Sequence, residues 1–135
     1  MKIFRNILAV ILGGFIGAFV NGCIIMISGS VIPLPEGADV TTMEGLKATI
    51  HLFEPRHFIM PFLAHAIGTL VGAIVAGFIA ASHKRAFVMT VGCLFLVAGI
   101  ANCFMLPAPV WFMVVDVVCA YIPMAWIASK IAARK

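Results

Sequence analysis

The stretch EPRHFIMPFLAHAIGTLVGAIVAGFIAA, Glu54–Ala81, decides the fold. From His57 onward it contains no Asp, Glu, Lys or Arg. A run of about 20 apolar residues is long enough, as a helix, to cross the hydrocarbon core of a bilayer. Its interior holds one ionisable side chain, His65, and two interleaved ladders of small residues, Ala64/Gly68/Gly72/Ala76/Ala80 and Ala73/Gly77/Ala81. Residues four apart share a helix face. In lipid, small residues on such a face let two helix backbones approach closely.

Three further runs of the same kind surround it, at about 6–27, 86–106 and 110–129, with 57–81 as the second of four spans. The chain is 64% hydrophobic and 10% charged, whereas a soluble domain is about a quarter charged. With so few charges a soluble fold could not cover its surface, so the lipid bilayer is the solvent that fits. The expected fold is all-α: a polytopic membrane protein, a four-helix transmembrane bundle forming a single domain over residues 1–135. Lys2, Arg5 and the following apolar run look at first like a signal peptide. The run continues through Ile24–Ile27 past the candidate cleavage site at Cys23, which reads as a retained first helix. That helix repeats the small-residue pattern, with Gly13/Gly17 and Gly14/Ala18/Gly22.

Residues 28–56 form the only long connection. Pro33 and Pro35 keep its first part extended, because proline fixes its own φ and biases its predecessor away from helix. Thr41 or Thr42 can cap a short helix running to about Phe53. Met43, Leu46, Ile50 and Phe53 recur at helical spacing, which predicts an amphipathic, interfacial helix. Residues 82–85 and 107–109 are tight turns. Pro61 falls in a first turn, where a missing N–H is tolerated. Pro123 is expected to kink the fourth span.

The net charge is +4, but its distribution argues against nucleic acid. Lys2, Arg5, Lys84, Arg85, Lys130, Arg134 and Lys135 flank the spans, and only Lys47 and Arg56 lie in the long connection. The positive-inside rule then places both termini in the cytoplasm and residues 28–56 outside, in a cell inner membrane.

Four strongly polar residues fall within the spans, one in each: Asn21, His65, Asn102 and Asp116. Each lies about 8–12 Å below the expected outer boundary, at 1.5 Å per residue. Each also shares its helix side with small residues, so the four are expected to meet inside the bundle as a site for a small molecule, an ion or a proton. In that reading His65 and Asp116 share or exchange a proton. A buried carboxylate costs about 2.5–3.5 kcal/mol at a span centre, so Asp116 needs a partner. The plainer reading is that the four only fasten helices together. Glu54 and His57 are candidates for an entrance above the site. Gly13, Gly17, Gly68, Gly72 and Ala76 are the expected packing residues, within one chain or between two copies. No metal site is expected, since no two ligand-type residues show a short ligand spacing, and no cofactor is expected. Cys23, Cys93, Cys103 and Cys119 form no CxxC pair and read as packing residues.

In length and span number the chain is similar to small multidrug transporters, which place a glutamate in the first span where this chain has Asn21. Four-helix quinone-linked thiol oxidoreductases need a CxxC, and membrane glutathione transferases have a richer set of charged motifs. The sequence therefore points to no family. The leading expectation is a binding or transport-type membrane protein. The alternative is a non-enzymatic accessory subunit or assembly factor, docking a homo-oligomer or partner subunit through glycine-rich faces. An enzyme ranks last, because no nucleophile–base pair is evident.

Overall fold

The computed structural model describes residues 1–134; the Lys135 anchor lies outside them. Six α-helices follow one another: α1 (Lys2–Val31), α2 (Met43–Thr49), α3 (Ile59–Ile79), α4 (Lys84–Met105), α5 (Val110–Cys119) and α6 (Ile122–Ala132). Two 3-10 turns, Ile50–Leu52 and Pro55–Phe58, link α2 to α3. Among the described residues four runs are long and apolar enough to cross a membrane: Lys2–Val31, Pro55–Ile79, Lys84–Met105 and Val110–Ala132. The last comprises α5 and α6 in series.

The helix α3 is the axis. Its glycine face takes α1 at backbone contact: a Cβ on Gly72 would lie 2.5 Å from the Gly13 carbonyl oxygen, and one on Gly17 2.6 Å from that of Gly68. Gly13/Gly17 and Gly68/Gly72 therefore close on each other within one chain. The second ladder of α3 meets α4 and α6, with Gly77 against Val88 and Ala132. Ala9, Ala73, Ala76, Val88, Val91, Ala125 and Ala128 are fully buried between these helices. The Gly14/Ala18/Gly22 face of α1 has no such partner: nothing lies within 4 Å of a Cβ added at Gly14 or Gly22.

At the end that carries the chain termini, α1 caps α3. The Arg5 guanidinium donates to the Ile79 carbonyl from Nε (3.2 Å) and Nη2 (2.9 Å). A cation there suits the partial negative charge of a helix C-terminus. Asn6 Oδ1 accepts from the Ala81 and Ser82 amides, and its Nδ2 donates to Ser82 Oγ at 2.9 Å. The turn that follows is made with His83 in the left-handed region, at φ 47°.

At the opposite end the long connection is a built structure. The Asp39 carboxylate accepts from the Thr41 hydroxyl (2.6 Å) and the Thr41 amide (2.9 Å). These bonds, the hydroxyl's first, hold its pKa below the ordinary carboxylate value. Thr42 caps α2 by accepting from the Gly45 amide. The predicted single helix to Phe53 is shorter, giving way to a 3-10 turn after Thr49. Its apolar face turns onto the bundle: Leu46, Ile50 and Phe53 pack on Phe58 and Phe112. The connection thus roofs this end of the helices.

The kink expected from Pro123 is present as a full break in the fourth apolar run. The run breaks at Ala120–Tyr121, before Pro123. Pro123 has no N–H for the Cys119 carbonyl, and its ring crowds that carbonyl. Tyr121 takes φ −116°, ψ −74°, and α6 starts afresh.

Candidate functional site

Beneath the roof lies a cavity of about 150 Å³. Leu46, Ile50, Phe53, Phe58, Leu106 and Phe112 form most of its apolar wall, and its polar lining comes from His65, Asn102, Cys103 and Asp116. Among the lining residues only Ile25 of α1 and Asn102 of α4 are exposed, which marks the flank on which the cavity opens.

His65 and Asp116 meet as the sequence suggested. His65 Nδ1 lies 2.8 Å from Asp116 Oδ1. The Asp116 side chain is 4% exposed and that of His65 18%. The second carboxylate oxygen, Oδ2, accepts from the Tyr121 hydroxyl at 2.8 Å. The Tyr121 ring also stacks on His65, with centroids 5.9 Å apart and planes 27° apart. The tyrosine hydroxyl lies directly over Gly99, where a Cβ would occupy the same space. Each Asp116 oxygen thus accepts one hydrogen bond, which offsets part of the cost of burying the carboxylate.

Tyr121 is the member that sequence reading missed. Residues five apart stand about 140° apart on a continuous helix, at 100° per residue. The break before Pro123 is what returns Tyr121 to the Asp116 side. A tyrosine just ahead of a proline inside an apolar span was the available signal.

The asparagines divide. Asn102 lines the cavity on its open side, with no side-chain hydrogen bond among the described residues. Asn21 does not join the pair. Its Cβ packs over Gly68 in the α1–α3 seam, and its Oδ1 is buried without a partner. Thr69, one turn below His65, likewise has a buried hydroxyl without a partner.

Glu54 and His57 sit above the cavity and do different things. Glu54 is exposed and paired with Arg56 at 3.0 Å. His57 is buried: its Nδ1 accepts from the Glu54 amide at 2.8 Å, so its Nε2 carries the ring proton and donates to the Pro33 carbonyl at 3.1 Å. It ties the extended IPLP segment to the start of α3. It also borders a second space, of about 400 Å³, which shares Ile25, Leu46, Phe53 and Pro61 with the first.

Chemically the set is a hydrogen-bonded Tyr–Asp–His chain whose free end is His65 Nε2. It can hold a proton, pass one along, or bind a polar group. No hydroxyl or thiol among the described residues is bonded to that nitrogen, so the order of a nucleophilic triad is not completed. Nor do three His, Cys, Asp or Glu side chains converge among the described residues. No protein-family model, curated protein or solved structure matches the chain.

Proposed function

We propose that the protein is a small multi-pass protein of the cytoplasmic membrane, with both termini in the cytoplasm. Its function in this reading is to bind a small uncharged molecule in the cavity bordered by His65 and Asp116, with Tyr121 bonded behind them. The supporting observation is the placement of a buried carboxylate, bonded at both oxygens, beside a mostly apolar cavity, with one histidine nitrogen left unpaired. Pockets for small molecules have this character: apolar walls and a few fixed polar groups. Beside the His65–Asp116 pair, His65 Nε2 and the Asn102 amide have no side-chain partner among the described residues.

The test is ligand-detected NMR on the purified protein in lipid nanodiscs, with a set of neutral ring-sized compounds and empty nanodiscs as control. The comparison is with the double variant His65→Phe/Asp116→Asn, which keeps ring volume and removes the buried charge. Compounds that bind the native protein and are lost from a folded double variant support the reading. Equal binding to both, or binding to neither, rejects it.

A further inference from the structure

We propose that the ligand is a single ring carrying a hydroxyl group, of the phenol or quinol class; this rests on the reading of the cavity as a ligand site. Size sets the first limit. A dry apolar cavity of about 150 Å³ accepts a benzene-sized guest, and this one has that volume. Shape sets the second. Phe53, Phe58 and Phe112 line it together, with the Phe58 and Phe112 centroids 4.7 Å apart. Flat aromatic walls suit a flat guest in offset or edge contact.

Charge and hydrogen bonding set the third. An anion would face the Asp116 carboxylate across an apolar space. A cation would have only the remaining lone pairs of a carboxylate whose oxygens already accept, at 2.8 Å from His65 and 2.8 Å from Tyr121, and mostly apolar walls elsewhere. The lost hydration of an anion would go unreplaced, and that of a cation would be replaced only in part. What remains on offer is His65 Nε2 and the Asn102 amide. The amide both donates and accepts. A hydroxyl does the same, so it satisfies Nε2 whether or not that nitrogen carries a proton.

Access sets the fourth limit. The exposed lining residues, Ile25 and Asn102, lie on α1 and α4, on the flank of the bundle. In a bilayer that flank faces lipid. The molecules that arrive there are lipophilic, either a free phenol partitioned into the membrane or the ring of a tailed quinol.

The experiment compares phenol with toluene, which has the same heavy-atom count and shape, by titration of the native protein in nanodiscs. Phenol is expected to bind about tenfold tighter, the worth of one well-made buried hydrogen bond. The preference should vanish in the His65→Phe/Asp116→Asn variant. Equal affinity for phenol and toluene overturns the hydroxyl assignment while leaving the cavity a ligand site. Binding of neither removes the site itself. A second arm compares hydroquinone with its decyl derivative. Tighter binding of the tailed compound, beyond its partition into empty nanodiscs, assigns a membrane quinol; equal binding assigns a free phenol. The native comparison needs no variant, so it stands even if the double substitution fails to fold.

Discussion

Tyr121 shows how much one side chain carries. It is 2% exposed, and its hydroxyl supplies one of the two donors to a carboxylate buried among apolar helices. Tyr121→Phe keeps the ring and its stack on His65 and leaves Asp116 Oδ2 without a donor. The expected loss is about 1–3 kcal/mol of stability, the usual penalty for an orphaned buried acceptor. Thermal denaturation in detergent would read it as a lower midpoint. An unchanged midpoint would mean that the Tyr–Asp bond contributes nothing. His65 and Asp116 were both legible in the sequence, because an ionisable residue in an apolar span stands out. Tyr121 was not, because aromatic residues are ordinary there and its role depends on a break in the helix. Asn21 failed in the opposite way. Its depth matched the others, but the glycine contact that brings α1 in also turns Asn21 into the seam with Gly68.

Among the elements, the α1–α3 pair is held by backbone proximity. Gly72→Leu would drive a side chain into the Gly13 carbonyl, with no flexible neighbour to give way. The expected cost is about 1–3 kcal/mol from overpacking. Gly22→Leu, on the unpartnered ladder of the same α1, meets nothing and removes a mid-helix glycine, so it should cost nothing and can add up to about 1 kcal/mol of stability. Unfolding midpoints of the two variants in one detergent make the comparison. Equal losses would contradict the assignment of the two faces. The sequence could name both ladders of α1 and could not choose between them. They differ by one residue, about 100° of rotation, and only contact with α3 selects one. The roof is a similar case. Its apolar spacing was legible, but whether Leu46, Ile50 and Phe53 face lipid or the bundle depends on Phe58 and Phe112, which belong to other elements.

For the whole molecule, most of the basic residues lie at the end opposite the roof, which itself holds only Lys47 and Arg56. Lys2, Arg5, Lys84 and Arg85 gather where Asn6 and Arg5 hold the α3–α4 turn. In the proposed orientation that end is cytoplasmic. In a background whose four native cysteines are replaced by alanine, Glu36→Cys should react with a membrane-impermeant maleimide in intact cells. Arg85→Cys should react only after permeabilisation. The reverse pattern would invert the topology and put the roofed cavity on the cytoplasmic side.

The four runs long and apolar enough to cross a membrane, and the need of Asp116 for a partner among apolar helices, follow from the sequence by itself. Apolar length and the cost of a charge in lipid are properties of a segment and a residue, so they need no neighbour to be known. The tertiary structure decided which residues meet. His65 and Asp116 lie 51 positions apart, and their contact depends on how α3 and α5 are set against each other. The cavity, its open flank and the arrival of Tyr121 exist only once glycine contacts, a broken span and a folded-in loop have fixed those relations. The faces of His65 and Asp116 are legible on their helices; the distance between them is set by packing, as is the turn of Asn21 into the seam with Gly68.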